Sequence, residues 1–193
     1  SPKAERPVLA AECGTLGSFR EGGAWQQRWQ ASDSGAWSEQ GGRLLFNGQQ
    51  SSALSWKGWT EPPATAAFFA EILATDLNET IGIQFGDGQK FLWTPGVGWQ
   101  WQNSQGQSVQ SPLNQPLQVA TQWLLLIGDQ GLVQFYGDGQ LLFSQKNSVT
   151  PEQGFVLLTG SNNFSLLNLA SAGLPRLGTA TTRRASRQRQ IPK

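Results

Sequence analysis

The chain has 193 residues, of which 14 are basic and 13 acidic, so its formal net charge is +1. It contains no histidine and one cysteine, Cys13, which excludes an internal disulfide, a thiolate metal cluster and every nucleophile activated by a histidine. The length suits one β-domain, and there is no run of about 18 apolar residues that could span a membrane.

Charge is distributed unevenly along the chain. Residues 1–172 carry 8 basic and 13 acidic side chains, a formal charge of −5, whereas residues 173–193 carry 6 basic side chains and no acid. The C-terminal segment has too few apolar residues to form a core, so we predict a disordered basic tail or linker. Only this tail is expected to contact nucleic acid. Its candidates for docking on a partner are Arg183, Arg184, Arg187 and Arg189.

Three segments follow from these patterns. We predict an extended lead-in over residues 1–15, a folded domain over residues 16–172 and the tail over residues 173–193. Methionine is absent, even at position 1. This absence predicts a processed product that has lost a signal peptide, or a piece of a longer parent protein, and we expect a location outside the cytoplasm.

Strand signals dominate the first half of the chain. Trp37 begins a segment that turns at Gln40–Gly42 and predicts a β-hairpin. Residues 66–77 are rich in alanine and leucine, yet their aromatic residues and the preceding Pro62–Pro63 favour a strand over a helix. The segment 80–86 alternates apolar and polar residues, which predicts a strand with one buried face.

The second half contains five short apolar segments separated by turn residues. Each is rich in aromatic, leucine or β-branched residues, and most are bounded by glycine or aspartate, which is typical of antiparallel hairpins. We predict one unbroken antiparallel meander from segments 121–127, 132–136, 140–144, 154–160 and 164–170.

Four stretches of the chain, one in the first half and three in the second, have specific residue spacings. Trp37–Leu44 has the pattern W-x-x-x-G-G-x-L, Trp123–Leu125 opens the late hairpins, Val133–Leu141 has V-x-F-Y-x-D-G-x-L, and Gly154–Leu158 has G-F-V-x-L. This layout resembles bacterial concanavalin A-like jelly-roll domains of the laminin-G-like and keto-disaccharide-hydrolase-like type, over roughly residues 16–171. The resemblance implies an all-β fold in which two antiparallel sheets form a sandwich.

The acidic residues do not reproduce the catalytic pattern of the related glucanases, which is Glu-x-Asp-x-x-Glu. The nearest pair, Glu71 and Asp76, has an odd spacing that puts the two acids on opposite faces of a strand. Asp87, Asp129 and Asp138 lie in Gly-containing turns and lack the acid density of a calcium loop. We therefore predict no catalytic residue, no metal ligand and no cofactor. The resemblance leaves open a structural calcium ion.

Tryptophan supplies the best functional candidates. Trp99 and Trp101 share one face of a predicted strand, about 7 Å apart, and Trp93 lies on the preceding strand. Aromatic rings beside amides suit a neutral sugar, so the predicted ligand-binding group adds Gln100, Gln102 and Asn103 to these tryptophans.

Burial is the alternative for every one of these tryptophans. Tryptophans on a sandwich strand also fill the space between the sheets, and this interpretation stays open for the group around Trp99. A second aromatic patch, Trp56 and Trp59, carries the same ambiguity. The remaining tryptophans are predicted to lie in the core: Trp25, Trp29, Trp37 and Trp123.

The leading hypothesis is a non-enzymatic, lectin-like module that binds carbohydrate and belongs to a larger extracytoplasmic or secreted protein or assembly. The alternative is a structural protein, a shell, fibre or scaffold subunit that forms oligomers and whose basic tail docks on a partner. The third hypothesis is a glycan hydrolase with an atypical acid pair at Glu71 and Asp76.

Overall fold

The computed structural model describes residues 12–13, 24–59, 61–74, 78–111, 117–146, 149–150, 154–160 and 164–174. In these ranges the chain forms fifteen β-strands and two short 3-10 helices, Ala24–Gln27 and Ser34–Ala36. None of the described helices is long and apolar enough to cross a membrane. The prediction of an all-β chain is confirmed.

Two antiparallel sheets divide the strands, and we name them sheet A and sheet B. The strands of sheet A are β1 (Glu12–Cys13), β3 (Trp37–Gln40), β4 (Arg43–Phe46), β6 (Thr65–Ala74), β11 (Ala120–Ile127), β12 (Leu132–Gly137), β13 (Gln140–Lys146) and β15 (Phe164–Leu174). The strands of sheet B are β2 (Trp29–Ala31), β5 (Ala53–Trp56), β7 (Ile81–Phe85), β8 (Gln89–Thr94), β9 (Gly98–Gln102), β10 (Ser108–Gln110) and β14 (Phe155–Leu158).

The strand order shows a sandwich with long-range pairing. Sheet A runs β13-β12-β11-β6-β15-β4-β3, with β1 paired to the end of β15, and sheet B runs β10-β9-β8-β7-β14-β5-β2. The predicted hairpin at Trp37 is β3–β4, and the ten-residue β6 confirms a strand where alanine and leucine content alone would suggest a helix. Alternate β6 residues are buried, which is the period of a strand and not of a helix.

The predicted meander is wrong after β13. Strands β11, β12 and β13 pair in sequence as expected. Strand β14 instead lies in sheet B between β7 and β5, and β15 returns to sheet A between β6 and β4. Turn signals identify where a strand ends, but they do not specify which sheet the next strand joins, and this crossing is what closes the sandwich.

Aromatic rings fill the space between the two sheets. Phe68 of sheet A stacks on Phe155 of sheet B with ring centroids 4.4 Å apart, and Phe91 of sheet B stacks on Phe135 of sheet A at 4.9 Å. The four tryptophans predicted to be in the core are buried there, which confirms that prediction; they are Trp25, Trp29, Trp37 and Trp123. A sandwich of this kind is stabilised chiefly by removing such large apolar side chains from water.

Several core indoles lack a conventional hydrogen bond. Trp37 donates its Nε1–H to Ser52 Oγ at 3.2 Å, but four other buried indole N–H groups have no acceptor among the described residues: those of Trp29, Trp56, Trp93 and Trp123. Trp29 and Trp123 make edge-to-face contacts with neighbouring rings, whose π faces are weak acceptors. Ring packing therefore outweighs the cost of these unpaired donors.

Candidate functional site

The outer face of sheet B carries a row of side chains that are polar except for Val156. Side chains alternate between the core and the surface along each strand, so the residues paired across the sheet with Lys90 all point outward. We call this the amide row; in strand order it consists of Ser108, Gln102, Lys90, Gln84, Val156, Ser55 and Gln30. It crosses all seven strands of the sheet.

A second outward row lies beside it, about 7 Å along the strands. In strand order it consists of Gln110, Gln100, Leu92, Gly82, Leu158 and Ala53. The buried Gly82 is paired with Leu92 on one side and with Leu158 on the other, so the middle of this row is apolar. The sheet face therefore combines apolar side chains with amides one row away.

Leu92 and Leu158 border a depression of about 290 Å³. Leu92, Leu158 and Ala53 provide its apolar side, and its other lining residues all carry hydroxyl groups: Ser32, Ser51, Ser52, Thr80 and Thr159. The Thr80 and Thr94 hydroxyls are 3.2 Å apart, and Thr159 Oγ1 donates to the Ser52 carbonyl at 3.1 Å. A small apolar recess rimmed by polar groups is the usual form of a small-ligand site.

The amides on this face differ in whether they are already engaged. Gln102 donates to the Gly106 carbonyl at 3.4 Å and Gln110 to the Val97 carbonyl at 2.9 Å, which leaves each side-chain oxygen able to accept. The side chains of Gln84 and Gln100 form no hydrogen bond within the described residues, and both are partly exposed. These two amides are therefore available to a ligand through both donor and acceptor.

The predicted tryptophan platform does not face the solvent. Trp93 is 9% exposed and Trp99 is 3% exposed, and both belong to the core. Trp99 lies edge-to-face against Trp123 at 5.2 Å and against Phe135 at 5.0 Å. A ring enclosed in this way has no free face on which a sugar can stack, so the burial alternative is correct for these two residues.

The predicted group also combined residues from opposite faces of β9. Trp99 and Trp101 point inward, whereas Gln100 and Gln102 point outward, because neighbours along a strand alternate. Trp101 is partly buried against the core and donates its indole N–H to Gln89 Oε1 at 3.3 Å. Asn103 follows the strand and binds Gln107 at 2.8 Å, closing the turn to β10. Of the residues on β9, only the two glutamines of this group point outward from sheet B.

The second predicted patch lies at the edge of the core. Trp56 is 6% exposed and packs on Trp29 and Phe68, while Trp59 is partly buried with its ring 5.0 Å from that of Trp56. The Arg28 guanidinium lies over the Trp56 ring at 6.0 Å. These contacts use the ring faces for packing inside the protein, so Trp56 does not form an aromatic surface.

The outer face of sheet A differs from that of sheet B. Its central row is apolar across five strands and is flanked by three further apolar residues. We call this set the apolar strip; it consists of Ala170, Phe69, Leu124, Tyr136 and Leu141, with Ala172, Ala67 and Leu126 beside them. It contains no charged residue, and a recess of about 160 Å³ opens over Phe69, Leu124 and Tyr136.

The acidic residues are separated from one another. Glu71 accepts a hydrogen bond from Asn168 at 2.7 Å on sheet A, and Asp76, its proposed partner, lies outside the described residues. Asp138 accepts hydrogen bonds from Thr121 Oγ1 at 2.9 Å and from the backbone N–H of Gln122 at 2.8 Å, and these bonds stabilise a turn. Within the described part of the chain, no three His, Cys, Asp or Glu residues lie close enough to hold a metal ion. The described acidic side chains are therefore dispersed over separate turns and strands.

The arginine tail also lies outside the described residues, so its docking role stays a prediction; its members are Arg183, Arg184, Arg187 and Arg189.

Sequence reasoning missed most of the outer face of sheet B. Gln84, Lys90 and Leu92 were not selected, although the alternation in segments 80–86 and 89–94 carries the signal, because it places them opposite the buried aromatic residues. Leu158 and Ser55 had no comparable signal. They join the face only because β14 and β5 extend sheet B.

Solved structures similar to this chain include several carbohydrate-binding proteins. The potassium-bound carbohydrate recognition domain of Emp46p aligns with a TM-score of 0.57 at 12% identity, covering 82% of this chain and 94% of that domain. The VIP36 exoplasmic/lumenal domain, bound to Ca²⁺ and Man2, aligns with a TM-score of 0.56 at 7% identity, covering 86% and 88%. The carbohydrate-binding module CBM66 from Bacillus subtilis aligns at 0.54 with 13% identity, covering 74% and 94%.

Sequence comparison adds nothing to these matches, because neither a protein-family model nor a curated protein matches the chain. At these identities the structural likeness concerns the fold alone. The chain has the concanavalin A-like lectin/glucanase fold, as the resemblance implied.

Proposed function

We propose that this concanavalin A-like sandwich is a non-enzymatic carbohydrate-recognition module that binds a glycan on the outer face of sheet B. The observation that carries the proposal is the adjacency of the amide row to the recess bordered by Leu92 and Leu158. Sugars present hydroxyl groups on their edges and C–H groups on their faces. Amides that donate and accept suit the former, and the leucines suit the latter.

The fold supports this proposal, since it is shared with domains whose function is to bind carbohydrate. The proposed setting is outside the cytoplasm, within a larger protein or assembly. The VIP36 domain of the same fold is described as exoplasmic or lumenal, which supports this setting by analogy.

Truncating the two unengaged amides tests the site. A glycan array of the purified chain should first give at least one saturable ligand. We then expect Gln84→Ala and Gln100→Ala each to weaken the affinity for that ligand about 2- to 12-fold, since a net hydrogen bond contributes ~0.5–1.5 kcal/mol. Dissociation constants measured by titration calorimetry check this.

Gln134→Ala is the matched control, because Gln134 occupies an equivalent outward position on β12 in sheet A. Its affinity should equal that of the wild type. A blank array with a folded sample would count against carbohydrate binding itself. If both sheet B variants bind as the wild type does and Gln134→Ala loses binding, the site lies on sheet A and the proposed location is wrong.

Assembly is a second candidate function, and the apolar strip of sheet A favours it. The strip extends over five strands, about 19 Å, and an uncharged apolar surface is complementary to itself across a two-fold axis. We propose that a second copy of this chain binds to the strip. The strip covers less than the ~800 Å² per partner of a standard interface, so we expect weak and concentration-dependent association.

Leu124→Thr tests this association, because Leu124 lies in the middle of the strip and threonine retains β-propensity. We expect the wild type to show a concentration-dependent rise in sedimentation coefficient that the variant lacks. Leu92→Thr, on the outer face of sheet B, is the control and should associate as the wild type does. A wild type that stays monomeric at millimolar concentration would rule out this candidate.

A further inference from the structure

Charge is almost absent from sheet B. Its seven described strands contain one charged residue, Lys90, and no aspartate or glutamate. Residues 1–172 nevertheless have a formal charge of −5. The acidic residues of the described strands all belong to sheet A, and the strands of sheet B contribute one positive charge and no carboxylate to their outer face.

Lys90 lies at the centre of the candidate site. It is paired across the sheet with Gln84 on one side and with Gln102 on the other, and it precedes Leu92 by two residues on the same face. Its ammonium group can therefore reach a ligand that contacts the amides and the recess together.

Lys90 has no counter-ion in the described part of the chain. It is partly buried and makes no ion pair or hydrogen bond there. The nearest carboxylate in sequence, Asp87, accepts a hydrogen bond from Gln89 Nε2 at 3.2 Å. By contrast, the Lys57 ammonium donates to the Gln26 carbonyl. A ligand seated on this face would remove water from the Lys90 ammonium, which is unfavourable unless the ligand supplies a negative group.

We propose that the ligand of this face is an acidic glycan, whose carboxylate or sulfate group pairs with Lys90 while its neighbouring sugar surface occupies the recess bordered by Leu92 and Leu158. This inference rests on the proposed function and adds the chemical class of the ligand. A hydrogen bond to an ionised group is about twice as strong as a neutral one, so the acidic group should dominate selectivity.

The test compares three forms of one oligosaccharide. The first is an oligouronate, the second is the same chain with its carboxylates reduced to alcohols, and the third is a sulfated form of the reduced chain. We expect the wild type to bind the oligouronate or the sulfated form about 10-fold more tightly than the reduced form. The preference should fall when the salt concentration is raised from 20 to 200 mM, as for a charged contact.

Lys90→Gln removes the charge but retains a polar chain of similar reach. It should weaken binding of the preferred acidic form about 10-fold more than it weakens binding of the reduced form, with an unaltered unfolding temperature. Lys146→Gln, an exposed lysine on β13 of sheet A, controls for the general loss of a positive charge and should bind as the wild type does.

The outcomes separate the two proposals. Loss of the acidic preference in Lys90→Gln alone supports the inference, and the probe that is preferred identifies the carboxylate or the sulfate as the source of charge. Equal binding of all three forms, or an acidic preference that survives Lys90→Gln, overturns the inference and leaves carbohydrate binding intact. Failure of the wild type to bind any of the three forms overturns the inference, whereas a blank glycan array overturns carbohydrate binding itself.

Discussion

Replacing Gly82 with alanine is expected to lower the free energy of unfolding by about 3 kcal/mol, equivalent to a fall of roughly 6–12 °C in the unfolding temperature. A Cβ atom at this position would overlap the Phe91 carbonyl oxygen and lie 3.0 Å from the Leu92 Cα. Both are backbone atoms of the neighbouring strand, which cannot rotate away. The clash outweighs the ~0.5–1 kcal/mol by which alanine is normally favoured over glycine within a strand.

Gly128→Ala provides the matched control. Its added Cβ would lie 3.5 Å from the Leu132 carbonyl oxygen, which is an ordinary contact. We expect this variant to unfold within about 0.5 kcal/mol of the wild type in urea. A Gly82→Ala variant that unfolds at the same urea concentration as Gly128→Ala would show that β7 and β8 do not approach as closely as described.

The second large effect contrasts two adjacent residues on β9. Trp99→Ala should lower the free energy of unfolding by about 3–5 kcal/mol, because it removes a ring packed on Trp123 and Phe135 and leaves a cavity between the sheets. Gln100→Ala, one residue away on the outer face, should change stability by no more than about 0.5 kcal/mol. Urea denaturation, monitored by near-UV circular dichroism, measures the free energy of unfolding of both variants.

Ligand affinity should show the reverse order. The folded fraction of Trp99→Ala is expected to retain the wild-type affinity for the glycan, whereas Gln100→Ala weakens it. If Trp99→Ala instead keeps its stability and loses binding, the stacking role predicted from sequence is right and the burial of this ring is not. The pair therefore distinguishes a core residue from a contact residue on the same strand.

Local sequence patterns were sufficient to predict the strands, the turns between them and the all-β class of the fold. The period-two burial of β6 and the Gly-containing turns around β3–β4 and β11–β13 depend on neighbouring residues only. Glycines that adopt a positive φ at these turns, such as Gly41 and Gly139, are needed whatever the rest of the chain does. For this reason the strands and their turns follow from the local sequence, whereas the two-sheet sandwich was expected from the family resemblance.

Alternation also indicates that two residues share a face, but it does not indicate which face is inside. Trp99 and Trp101 were correctly placed together, as were Gln100 and Gln102, yet the choice between core and surface depends on what lies opposite β9. Trp123 and Phe135, contributed by β11 and β12, pack against Trp99 and enclose it. That contact exists only when the two sheets have come together.

The candidate site belongs to tertiary structure for the same reason. Ser55, Gln84, Lys90, Gln102 and Val156 are distant in sequence and become neighbours because five strands pair in one register. The sequence by itself determined that this chain forms an antiparallel sandwich with an aromatic interior. Only the order of the strands decided that Lys90, the amides and the recess bordered by Leu92 and Leu158 share one surface, because strand pairing is a long-range interaction that no local spacing encodes.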